Sequence, residues 1–172
     1  MFPLIRAFLE EHTQLYDFLL AHEEISLASG INHHFRKIFL LYCASYYELQ
    51  ITNIIKCFVE ANSSDDRVLA FVTSKAIERQ YHTYFCWDSN NINSFLGLFG
   101  SVFRDTISSE IKKSDILPLQ AKAFLTIGFE RNKMVHENFI EYSLEKTFDE
   151  LVALDEKASA FIEFLKSKFS IA

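Results

Sequence analysis

"ILPLQAKAFLTIGFERNKMVHENF", residues 116–139, fixes how the chain is to be read. Leu117, Ala121, Phe124, Leu125, Gly128 and Phe129 recur at the spacings of a helix with one buried face. Continuing that period puts Arg131, Asn132, Val135 and His136 on or beside the same stripe. A guanidinium, an amide and an imidazole are out of place there, because burying a polar group unpaired costs about 1–3 kcal/mol and a charge more. These groups need partners, water or a chemical task.

The rest of the chain reads in the same idiom. With 172 residues it is long enough for one domain with a proper core, spanning 1–172. Only 4 Gly and 2 Pro argue against a chain of many hairpins and for long helices, and 18 Phe and 7 Tyr supply bulky filler between them. The periodicity predicts a first helix over 3–21, with Pro3 early where its missing N–H does no harm. "HEEISLASGI" reads as a connection, followed by one long helix over 32–61 that ends in the polar cluster "NSSDD". Asp65 or Asp66 can cap a shorter helix through Arg79. The run from Trp87 to Lys113 predicts a loop, a short helical piece and a helix. The opening stretch forms a helix over 117–138. Thr147 and Glu150 of "TFDE" form a capping box for a last helix. Its buried stripe comprises Leu151, Leu154, Ala158, Phe161, Phe164, Leu165 and Phe169. The fold class is therefore all-α.

Charge limits the function. The net charge is −6, which disfavours a general, sequence-blind nucleic-acid binder. The excess is local: from Glu137 to Glu163 eight acids face Lys146 and Lys157, so the remainder is balanced and can still form a positive pocket. Cys43, Cys57 and Cys86 are odd in number and without CxxC spacing, which reads as reduced cysteines of a cytoplasmic protein. Arg6, Glu10 and Glu11 interrupt any secretory signal, and no apolar run approaches a membrane span.

Three constellations could carry chemistry. His33-His34 with Arg36 and Lys37 reads as a cap or solvated helix start, since consecutive histidines diverge by about 100° on a helix. His82 and Cys86, four apart, could offer two metal ligands, but nothing nearby completes a recognised site, so no metal or other cofactor is expected. The third is Arg131-Asn132-Lys133-Met134-Val135-His136. Asn132 and His136 share a helix face. Arg131 lies about 140° from His136 and must either curl toward a common ligand or meet a second copy of the motif. This trio suits phosphodiester cleavage. The imidazole can move a proton near neutral pH, the guanidinium can stabilise charge growing on phosphate oxygens, and the amide can orient His136 or bond the phosphate. Lys112, Lys113, Lys122, Arg131 and Lys133 either line an RNA path or form a solvated face.

The hexamer resembles the R-N-x-x-x-H form of the R-x4-6-H motif of the HEPN superfamily, whose members are all-α bundles and in many cases metal-independent endoribonucleases. A bare R-x4-H is expected by chance about 0.2 times in this composition, and roughly 0.01 times once Asn must follow Arg. The wider run, "NINSFLGLFGSVF", "AFLTIGFERNKMVHENF" and "TFDELVALDEKASAFIEFL", is similar to the RiboL-PSP branch over about residues 35–168. The resemblance implies a bundle of about five to six helices with Arg131 and His136 catalytic. Asn132 and Lys133 would be supporting residues, as would Glu48 of "SYYELQ". It also implies an RNA substrate, a homodimer with the site at its interface, and a toxin–antitoxin or anti-phage setting with an antitoxin or other protein partner. The alternative it leaves open is a non-catalytic module that binds RNA, a nucleotide or a protein.

Overall fold

The computed structural model describes residues 2–169. Among them the elements are α1 (Pro3–Ala21), α2 (Ile25–Asn62), α3 (Asp66–Val72), a π-helical turn (Thr73–Ile77), α4 (Tyr81–Tyr84), α5 (Asn93–Gly97), α6 (Ser101–Lys113), α7 (Leu117–His136) and α8 (Phe148–Phe169). No described residue lies in a strand. The fold is an all-α bundle.

Helix α2 has 38 residues and so runs about 57 Å at 1.5 Å per residue. It is the mast of the bundle: α1, α7 and α8 all pack along it, and α7 and α8 pack most extensively on each other. Helix α1 docks through Ile5, Phe8 and His12. Phe8 stacks on Phe35 and Tyr42, and the buried His12 ring lies 3.6 Å from the Phe35 centroid. Burial lowers the His12 pKa, so that ring is held neutral. Deeper in, Phe39, Tyr47, Phe95, Phe124 and Phe161 are almost wholly buried in one continuous apolar cluster.

Helix ends follow local chemistry. Ser114 Oγ accepts from the amide of Leu117 at 3.2 Å and opens α7 ahead of Pro118. At α8, Thr147 N–H donates to Glu150 Oε2 at 2.7 Å, and the Glu150 amide donates back to Thr147 Oγ1 at 3.3 Å. Asp65 Oδ1 accepts from the Arg67 amide at 2.9 Å and caps α3. The helix expected to run on through Arg79 instead passes into the π-helical turn and breaks before α4.

Two further expectations need correction. The connection read over 22–31 is only three residues long. Glu23 adopts φ +61, its amide donates to Leu20 O, and the Glu24 amide donates to Leu19 O at 2.9 Å. This Schellman closure turns the chain at once, using Glu where Gly is commoner, and lets α2 start at Ile25. The group His33-His34-Arg36-Lys37 is accordingly no helix start. His33 and His34 are exposed, but Lys37 is only 1% exposed. Its Nζ donates to the carbonyls of Phe139 (2.9 Å) and Ile140 (3.2 Å), while Arg36 Nη1 donates to those of Leu144 and Lys146. These cations hold the α7–α8 connection. Tyr142 reinforces it by donating to Glu130 on α7, as does Lys146, 3.5 Å from the same carboxylate.

Candidate functional site

The polar residues of the α7 stripe do not sit in sealed core. Arg131, Asn132 and His136 line a cavity of about 360 Å³ whose other walls are α2 and the segment from Arg79 to Trp87. That volume falls within the roughly 300–1,000 Å³ of typical small-ligand sites. Its apolar side is formed by Ala44, Tyr47, Phe124 and Ile127, and its polar side carries Glu48, Arg79, Tyr81 and His82. Two guanidinium groups against one carboxylate make it electropositive within an acidic chain.

One close approach sets the spacing of the walls. A Cβ on Gly128 would lie 2.1 Å from Trp87 Cζ3 and 2.2 Å from Cε3, so only glycine lets the indole rest on α7. Trp87 Nε1 in turn donates to the carbonyl of His82 at 3.1 Å, pinning α4 against α7. Just before α4, Arg79 is held at φ +60, a conformation that costs a residue with a Cβ about 1 kcal/mol or more. The Tyr84 hydroxyl closes the same segment by donating to Ala76 O.

Arg131 is half-buried, and its Nη1 donates to Asn132 Oδ1 at 3.1 Å. Among the described residues no carboxylate lies within ion-pair distance of Arg131. Its remaining N–H groups therefore stay available for an anion. The Tyr81 phenol is pushed up, first by burial and then by the nearby Glu48 carboxylate, with Arg131 opposing. It stays a neutral donor between these two charges. His136 ends α7 and is exposed, as is His82.

The structure thus brings Glu48, Arg131, Asn132 and His136 to one cavity and leaves Lys133 outside it. The Lys133 ammonium lies over the Phe129 ring, 4.9 Å from its centroid, on the exposed side of α7. Lys122 is likewise outside, donating to Asn90 Oδ1 at 2.7 Å. Although Arg131 and His136 diverge on the helix wheel, both line this cavity within one chain. Sequence reasoning missed Arg79, Tyr81 and Trp87, and weighed His82 only as half of a metal pair with Cys86. Cys86 Sγ instead lies 3.1 Å from Asp88 Oδ1. The available signal was "ERQYH" itself, a second Arg and His in one short segment, but no spacing rule ties it to residues some fifty positions away.

No curated protein and no solved structure matches the chain significantly. The family model described as RiboL-PSP-HEPN matches residues 7–170, extending the likeness read from sequence back into α1. With a match along nearly its whole length and an all-α bundle to carry it, the chain belongs to the RiboL-PSP-HEPN family.

Proposed function

We propose that the protein is a metal-independent endoribonuclease acting through the cavity beneath Arg131 and His136. The observation that carries this reading is chemical. A guanidinium with donors to spare and a solvent-accessible imidazole line the same electropositive cavity as Glu48 and Tyr81. In this scheme a ribose 2′-hydroxyl attacks its own phosphodiester. His136 of one chain accepts the 2′-hydroxyl proton, His136 of a second copy gives a proton to the departing 5′-oxygen, Arg131 stabilises the equatorial phosphate oxygens, and Asn132 holds the guanidinium in place. Glu48 orients Tyr81 and Arg131, and the products are a 2′,3′-cyclic phosphate and a 5′-hydroxyl. Incubation of the protein with single-stranded RNA in excess chelator tests the scheme directly. Cyclic-phosphate ends that vanish in His136→Ala are expected. Cleavage that requires a divalent ion, or that survives this substitution, overturns it.

A homodimer is part of the proposal. Val135, Phe139 and Ile140 are exposed apolar residues flanking His136, a surface suited to a second copy. So is a cytoplasmic toxin–antitoxin or anti-phage role, in which expression arrests growth and Arg131→Ala relieves the arrest. The second reading is a non-catalytic module, favoured by the acids from Glu137 to Glu163. Most of these are exposed and suit a basic protein partner, such as an antitoxin, better than a phosphate backbone. Tight RNA or partner binding by a folded protein that never cleaves RNA would establish it.

A further inference from the structure

From Thr13 to His34, across the end of α1, the turn and the start of α2, only Ala28 is buried. Leu15, Phe18, Leu20, Ile25, Leu27 and Ile38 are each between 43% and 69% exposed. Single exposed apolar side chains are ordinary, but so many on one hairpin mark a surface that a partner covers. On α2 they are ordered. Leu27, Ile31, His34 and Ile38 recur at i, i+4, i+7 and i+11 on one helix face and line a groove of about 400 Å³. Gly30 lines the same groove. Glycine inside a helix costs about 1 kcal/mol relative to alanine. A Cβ on Gly30 would meet nothing within 4 Å, so packing within the chain does not require it. The missing side chain leaves room for a close approach from outside.

The fixed charge on this hairpin has one sign. Between Arg6 and Arg36 the chain holds no Lys or Arg, while Glu10, Glu11, Asp17, Glu23 and Glu24 are all exposed. Such a surface repels RNA and anionic lipid. Pairing with the same hairpin of a second copy would set five acids against five. We infer that the α1–α2 hairpin is a docking arm for a basic amphipathic helix of another protein. Its apolar side chains, at helical spacing, enter the groove beside Gly30, and its Lys or Arg residues meet the acids of the hairpin. The arm goes beyond the endoribonuclease reading and does not depend on it, since none of its residues lines the cavity of Arg131 and His136. It is also distinct from the acidic stretch between Glu137 and Glu163.

The probe is a fluorescein-labelled peptide of about five helical turns, with leucine along one face and lysine elsewhere, titrated into the full chain at physiological salt. Saturable binding is expected, and the same peptide with glutamate in place of lysine should not bind. Phe18→Ser combined with Leu27→Ser should weaken binding at least about 10-fold, as should Asp17→Lys combined with Glu24→Lys. Gly30→Leu, which fills the groove without a clash inside the chain, should do the same. Glu156→Lys combined with Glu163→Lys, in the other acidic stretch, should change binding less than about 2-fold, and all four proteins should keep the wild-type circular dichroism. No binding of the lysine peptide, equal binding of the glutamate peptide, or full binding by the Phe18→Ser, Leu27→Ser protein overturns the inference. So does a larger loss from the Glu156→Lys, Glu163→Lys pair than from the hairpin variants. Sedimentation and vesicles test the other occupants. A wild-type dimer that Phe18→Ser with Leu27→Ser turns into monomers assigns the face to a second copy and overturns the inference. Binding to phosphatidylcholine vesicles that the same pair abolishes assigns it to a membrane, with the same consequence.

Discussion

Two polar clusters interrupt the apolar packing of this bundle, and they resolve the cost of doing so in opposite ways. The first is closed. The Tyr47 hydroxyl donates to Asp155, whose carboxyl is fully buried, and lies 3.2 Å from Ser159 Oγ, with Cys43 alongside. The second is the open cavity of Arg131, Asn132 and His136, where donors remain unspent and the walls are held apart by Trp87 on Gly128. Tyr47 belongs to both, lining the cavity with its ring while its hydroxyl serves the closed cluster. A polar residue on a buried stripe therefore points to function when its unspent donors face an open cavity, as those of Arg131 do. The difference is testable because the closed cluster should answer to stability and the open one to chemistry.

The largest effect belongs to the open side. His136→Ala should reduce RNA cleavage by about 10²–10⁴-fold. Its unfolding free energy from urea denaturation should change by less than about 0.5 kcal/mol, since the side chain is exposed. A large stability loss would erase the distinction drawn here. Next comes the wall itself. Gly128→Ala places a methyl into the Trp87 ring, and destabilisation of about 1–3 kcal/mol is expected, with a changed Trp87 fluorescence spectrum as the indole is displaced. An unshifted spectrum would mean that the cavity does not depend on this contact.

On the closed side, Tyr47→Phe strips Asp155 of its hydroxyl partner, and chemical denaturation should register a loss of about 1–2 kcal/mol. The smallest effect is one of slope. Burial raises the Asp155 carboxyl above the ordinary carboxylate range, so the folded chain holds that proton more tightly than the unfolded chain. Its contribution is complete below the unfolded value, near about pH 4, and is lost as pH rises through the folded value. Asp155→Asn should flatten that part of the stability curve and gain relative to wild type at neutral pH. Parallel curves for the two proteins would show that the carboxyl is ionised in the fold and that the cluster is not closed as described.

Much of this molecule was legible one element at a time. The periodic stripe of α7, Pro3 and the Thr147–Glu150 box mark helices by local rules, and the structure carries those helices where the rules put them. The six-residue motif with its flanks led to the right family. Where reading failed, the cause was an interaction invisible in the local string. Glu23 supplies a left-handed turn usually left to glycine, so α2 began seven residues earlier than expected. Lys37 looked like a solvated lysine, yet its ammonium donates to carbonyls about a hundred positions downstream.

Sequence alone determined the helical class, the caps and the placing of Arg131, Asn132 and His136 on one helix, because each depends on neighbours within a few turns. It also nominated Glu48, through the likeness to the family. Only the tertiary structure decided that Arg79, Tyr81, His82 and Trp87 share that cavity, and that Lys133 does not. Wall spacing depends on one indole meeting one glycine across two elements, and no periodicity in the chain encodes a contact between segments that distant.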